Sequence, residues 1–229
     1  MKKFILFLLI LFVTGTTLAQ GKLTPYDNVS LPAGLEEFIV NLENAVDQKD
    51  KKFIINHMSA NMMNSFGGDG GINEFKEYWN WDSDSTEFWN LMKHILQLDR
   101  GKLKQEDVYF IPYVFSEWPE TYDPFEHSAI TGLNVNVRNK PGLANSQVLG
   151  QLTYDIVKVN YEKSYPSFGS PRIKNVNYIG EKLWYYIESL DGKLNGYVYW
   201  KYIWSPVNYR LGVTKIEDRW LISFLVEGD

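Results

Sequence analysis

Part-way along this chain the spacing of the apolar residues changes, and that change restricts the fold more than any other feature. Leu35, Phe38, Ile39, Leu42, Ala45 and Val46 recur at intervals of three and four. Such spacing places them on one face of an amphipathic helix running to about Lys49. Phe88, Leu91, Met92, Ile95 and Leu98 repeat the pattern. From Ser128 onward apolar and polar residues alternate, the period of a half-buried strand. The fold class expected is therefore α+β, with a mainly helical N-terminal part and a β-rich remainder.

Asp50 is placed to cap a second short helix through Phe53, Ile54 and Met58. Ser65-Phe-Gly-Gly-Asp-Gly-Gly71 reads as a loop before a helix over 72–81. Such a loop can cradle an anion at a helix start. It can equally be a tight connection, and no Lys or Ser/Thr follows it in the manner of a phosphate-binding loop. Asp84-Ser-Thr-Glu87 resembles a capping box for the helix that Gly101 ends. Residues 107–115 are aromatic and apolar and read as a buried extended segment, with Pro112 limiting its ladder. Residues 118–125 form a turn-rich connector.

Strands are expected over 129–138, 148–152, 155–159, 183–188 and 193–198, followed by a one-turn helical segment over 200–204. A further hairpin, 209–216 and 219–226, is joined by Glu217-Asp218. A small barrel closed on itself has little use for two more strands. The hairpin is therefore expected to pair back onto the N-terminal part, beside Val108–Phe115; the alternative is that it extends the barrel.

Two stretches carry a resemblance. Asn134-Val-Asn-Val-Arg-Asn-Lys-Pro-Gly142 reads as a strand entering a turn, and Gly196-Tyr-Val-Tyr-Trp-Lys-Tyr-Ile203 closes the same region. Asn-Val-Arg-x-x-Pro and Gly-Tyr-Val-x-x-Lys-Tyr-Ile resemble the bacterial SH3-like family of exported proteins over roughly 129–204. The resemblance implies a small SH3-like β-barrel that binds a cell-wall peptide or glycan, or an envelope protein. This copy departs from the family in a long loop over 160–181. The order of elements outside the barrel is loosely similar to the cone-shaped α+β fold of nuclear-transport-factor-like proteins, which would leave room for a small-molecule pocket.

The resulting organisation is a signal peptide over 1–19, a flexible tether over 20–31, a helical or α+β domain over 32–128, a barrel over 129–206 and the hairpin over 207–229. The leader reading rests on Lys2 and Lys3, the apolar run 4–13 and the small pair Thr17 and Ala19. That run is about half the roughly 20 residues needed to span a bilayer. No stable membrane span is expected after cleavage, and the compartment is periplasmic or extracellular. The chain has no cysteine, which excludes disulfides, a lipid-anchoring thiol and every cysteine nucleophile. Removing Lys2 and Lys3 with the leader takes the formal charge from −5 to −7. An acidic chain of this kind argues against a nucleic-acid partner. It implies no particular oligomeric state.

No catalytic motif emerges, and no metal site or cofactor is expected. The three histidines, His57, His94 and His127, are widely separated. His94 falls between the apolar positions of its helix and is expected to be partly exposed. The carboxylates Glu74, Glu77, Asp82, Asp84, Glu87, Glu117, Glu120, Asp123 and Glu126 leave open a cell-envelope hydrolase targeted by the barrel, since paired carboxylates can do acid–base work. Trp79, Trp81, Trp89 and Trp118 could stack on sugars or simply pack the core. Within the barrel, strand period puts Tyr197 and Tyr199 on one face and Val198 on the other. Tyr185, Tyr197 and Tyr199 are the candidate ligand-binding residues. The leading reading is an exported, non-enzymatic binding module.

Overall fold

The computed structural model describes residues 21–25, 31–99, 101–102, 108–164 and 183–228. Residues 1–20, over which a leader is expected, and most of the 160–181 loop lie outside these. The helices are α1 (Leu35–Gln48), α2 (Lys51–Asn56), α3 (Gly71–Tyr78) and α4 (Phe88–Leu96), with single turns α5 (Tyr113–Ser116) and α6 (Tyr161–Ser164). The strands are β1 (Met58–Met63), β2 (Gly101–Lys102), β3 (Val108–Ile111), β4 (His127–Ile130), β5 (Val135–Arg138) and β6 (Val148–Leu152), then β7 (Ile156–Asn160), β8 (Trp184–Ser189), β9 (Asn195–Tyr199), β10 (Ile203–Trp204), β11 (Arg210–Ile216) and β12 (Arg219–Val226). The protein is mixed α+β, with more strand than its helical start suggests.

Two sheets divide these strands. The first has the order β1-β12-β11-β3-β2 and the second β10-β4-β7-β8-β9-β5-β6. The hairpin β11–β12 thus lies in the middle of the first sheet, between β3 and β1, which pairs parallel to β12. Its tight connection has Glu217 and Asp218 at φ 47° and 62°, the left-handed conformation that a two-residue hairpin turn of this hand demands. The buried faces of α1 and α4 join Tyr109, Ile111, Leu211, Val213, Trp220, Ile222 and Leu225 in one core. Each fully buried aliphatic side chain there contributes about 2 kcal/mol.

Several local expectations are corrected. Met58 does not continue the second helix; it opens β1, because its chain pairs with Ile222 of β12. The Asp50 cap is present, its Oδ1 accepting from Phe53 N at 2.9 Å. The capping box at 84–87 is not: Phe88 N donates instead to Thr86 Oγ1, whose hydroxyl donates to Trp79 O. Gly101 begins β2 rather than ending a helix. The 107–115 segment is strand only to Ile111, then turns helical after Pro112. The strand expected over 129–138 is two strands in different places, broken at 131–134, where Asn134 takes φ 52°. Segment 200–204 is a 3-10 turn, Trp200–Tyr202, running into β10.

The tether is also corrected in part. Leu23 is buried, its carbonyl accepts from Tyr113 Oη at 3.0 Å, and its N–H donates to Tyr154 O. Lys22 bridges to Asp155. The buried Leu23 side chain, part of the larger core, anchors this stretch; residues 26–30 lie outside the described residues.

The second sheet wraps one small core: Ile130, Val135, Val137, Leu152, Val157, Val159, Ile187, Val198 and Ile203. Val135 and Val137 point inward, as their alternation implies. The hydrogen-bonded ladder ends at β10 on one side and β6 on the other, so no closed barrel is found among the described residues. Gly196 is a tight point in this sheet. It sits at φ 154°, and a Cβ there would lie 2.5 Å from Arg138 O and 3.0 Å from a Val137 methyl. Gly196→Ala is expected to force β9 away from β5 and cost about 2–3 kcal/mol, read as a lowered urea midpoint. An unchanged midpoint would show that the two strands can part without loss.

Candidate functional site

The register of β8 and β9 decides which aromatic residues meet. Trp184 lies opposite Tyr199, Tyr185 opposite Val198, and Tyr186 opposite Tyr197. Directly opposed residues in an antiparallel pair share a face. Trp184, Tyr186, Tyr197 and Tyr199 therefore lie on the outer face. Tyr185 lies on the inner one, packed against the core with Val198 and Ile187. The grouping of Tyr185 with Tyr197 and Tyr199 is corrected on this point. Alternation along β9 was readable; which residue of β8 faces which of β9 was not.

The outer face continues onto β5, where Arg138 lies opposite Tyr197. Asn136, two residues earlier on the same strand, faces Gln151 of β6 and accepts a hydrogen bond from its Nε2 at 3.0 Å. A groove of about 550 Å³ crosses this surface. Trp184, Tyr199 and Tyr202 supply its aromatic lining and Asn134, Asn136 and Arg138 its polar groups. Leu133 and Leu143, 66% and 74% exposed, form its apolar rim. Pro141-Gly142 turns the chain there as anticipated, Gly142 taking φ 102°. Tyr197 stands beside this groove, in edge contact with Tyr186. Trp184, Tyr202 and Arg138 were not among the candidates. Strand period alone would have added Trp184 to the face of Tyr199 had the register been known.

The rings do not form a flat platform. Trp184 and Tyr199 are tilted at 48°, Tyr186 and Tyr197 at 82°, and Tyr199 and Tyr202 at 60°. Arg138 donates from Nη1 to Ser146 Oγ at 3.1 Å, and no carboxylate among the described residues pairs with it. Lys163 Nζ lies 4.4 Å from the centre of the Tyr186 ring. The carboxylate Glu188 is two cross-strand rows further along on the same face, opposite Asn195.

Several of the other candidate residues have structural roles. Glu74 fills the glycine loop from within, accepting from Gly70 N at 3.0 Å and from Asn64 Nδ2 at 3.1 Å. An internal carboxylate thus occupies the place an anion would take. Glu126 pairs with Lys158, and Asp123 Oδ1 accepts from Phe125 N. Trp81 and Trp89 are core residues, tilted against each other at 5.2 Å. Trp79 and Trp118 pack against the same core.

His94 is the clearest reversal. It is 7% exposed, where the helix pattern implied partial exposure. Trp200 and Trp204 cover it, with ring centres 4.6 and 5.0 Å away. Its pKa is pushed down to about 4, first by burial and then by the nearby Lys201 charge. His94 Nε2 and Trp200 Nε1 are buried without a hydrogen-bond partner among the described residues. His57 stacks on Phe53 and His127 sits against Tyr122. Among the described residues, no group of three or more His, Asp or Glu side chains is arranged to hold a metal ion.

No family model matches the chain, and no curated protein or solved structure matches it. No helix of the described residues is long and apolar enough to cross a membrane.

Proposed function

We propose that this chain is an exported, non-enzymatic binding protein whose second sheet curls into an SH3-like barrel and recognises a cell-wall peptide or glycan, or an envelope protein. The groove lined by Trp184, Tyr199, Tyr202, Asn136 and Arg138 carries the reading. It combines an aromatic lining with a few polar groups, the usual make-up of a site that binds without covalent chemistry. The barrel part is supported by one core drawn from all seven strands of the sheet, β4 to β10. Asn134–Pro141 and Gly196–Ile203, which carry the resemblance, border this groove from two sides.

Sedimentation with purified peptidoglycan, followed by analysis of the supernatant, tests the proposal. The protein is expected to sediment and to release no soluble product. Tyr202 is 49% exposed, so Tyr202→Ala leaves the fold largely untouched. It is expected to weaken retention by about tenfold, the effect of losing one aromatic anchor. Product release by the wild type would overturn the non-enzymatic reading. Retention unchanged by Tyr202→Ala would move binding away from this groove.

A further inference from the structure

We infer that the groove is built for an extended peptide bearing a carboxylate, and that Arg138 is the residue that selects it. The inference rests on the binding reading above and narrows it.

Charge is the first argument. The chain is acidic overall, at −5. Yet the residues lining the groove include one cation, Arg138, and no Asp or Glu. Arg138 spends Nη1 on Ser146 and has no carboxylate partner among the described residues. A planar guanidinium has five donors in a fork that matches a carboxylate. The hydrogen bond to Ser146 orients that fork and leaves donors for a ligand. Lys163, over the Tyr186 ring next along the face, adds positive potential from the same side. An anionic ligand is thus favoured at a groove whose lining carries a cation and no carboxylate, on a chain that is acidic overall.

Shape is the second argument, and it favours a peptide over a glycan. Sugar rings stack on flat aromatic faces, whereas the groove's rings stand at 48° and 60° to one another. Their clefts suit side chains. The exposed Leu133 and Leu143 in the lining offer apolar contacts to a ligand. Asn134 and Asn136 bring amides, which can both donate to and accept from a peptide backbone. In an extended peptide every second side chain points the same way. The fitting pattern is therefore apolar-x-acidic-x-apolar, with the acidic residue at Arg138.

The probe is the end-blocked peptide Leu-Ser-Glu-Ser-Leu, compared with Leu-Ser-Gln-Ser-Leu, titrated into the purified ¹⁵N-labelled protein. The Glu peptide is expected to bind at least tenfold more tightly, with amide shifts concentrated at Arg138, Tyr197, Tyr199 and Leu143. Arg138→Gln is expected to abolish the difference between the two peptides, and Arg138→Lys to keep part of it. The wild-type comparison needs no variant, so a poorly folding Arg138→Gln leaves the test standing. Equal binding of the two peptides, no binding of either, or discrimination surviving in Arg138→Gln overturns the inference. If the protein still sediments with peptidoglycan in those cases, the binding reading survives and only the carboxylate anchor is lost. If sedimentation fails as well, both fall.

Discussion

Lowering the pH from 7 to 4 is expected to remove about 3 kcal/mol of stability through His94 alone. The ring is buried between Trp200 and Trp204, and its folded pKa is about 4 against an ordinary 6.5. Burial favours the neutral form in the folded state, while the unfolded chain takes up a proton below 6.5. The stability held by the neutral ring is whole above pH 6.5. It falls steadily as the pH drops, and its loss is complete once the folded pKa of about 4 is passed. His94→Phe keeps an aromatic ring between the two tryptophans and removes both the titration and the unpartnered Nε2. The variant is expected to be at least as stable as the wild type at pH 7. Urea unfolding of both proteins from pH 4 to 7 isolates the effect, since the carboxylates titrate equally in each. Parallel stability profiles would mean that the ring is solvated. The same contact joins α4 to the turn before β10, so acid is expected to loosen the packing between the first sheet's helices and the second sheet.

Leu211→Ala is expected to cost about 3–4 kcal/mol, within the range for truncating a fully buried leucine. Leu211 has no exposed surface and lies in β11, with Ile111 of β3 on one side and Leu225 of β12 on the other. Such a loss is a large part of the roughly 5–15 kcal/mol that holds a domain folded. Its distribution matters as much as its size. The first sheet is built from residues 58–63, 101–102 and 108–111 together with 210–226. Hydrogen exchange is therefore expected to quicken together in β1, β3 and β12, although β1 and β12 are far apart in the chain. Protection lost only at the C-terminus would mean that β1 and α1 fold without the hairpin.

What was legible before any coordinates was what depends on near neighbours in the chain. Leu35, Phe38, Ile39, Leu42, Ala45 and Val46 are all buried in α1, because a helix face follows from spacing alone. Tyr197 and Tyr199 share a face opposite Val198 for the same reason. β1 was hidden because Met58-Ser-Ala-Asn-Met-Met63 carries no clear alternation. It is a strand because β12 lies beside it. The strand expected over 129–138 failed because inward-facing residues on both sides of the break hid a change of partners. β4 belongs to β10 and β7, and β5 to β9 and β6.

The candidate site divides in the same way. Tyr199 was found from period, and Tyr185 was misplaced because cross-strand register is set by pairing. Arg138 stood in the motif that suggested the family. Its role as a groove cation became visible only when Tyr197, Tyr199 and Tyr202 were brought around it.

By itself the amino-acid sequence determined the α+β class, the helix face of α1, the in-and-out order of side chains along β9 and the exclusion of all thiol chemistry. The order of elements also implied that the terminal hairpin returns beside β3, as it does; tertiary structure alone decided its parallel pairing with β1, the burial of His94 and the joining of Trp184, Tyr199 and Arg138 in one groove. The reason is physical: periodicity is a property of consecutive residues, whereas burial, register and local charge depend on segments that meet only after the chain has folded.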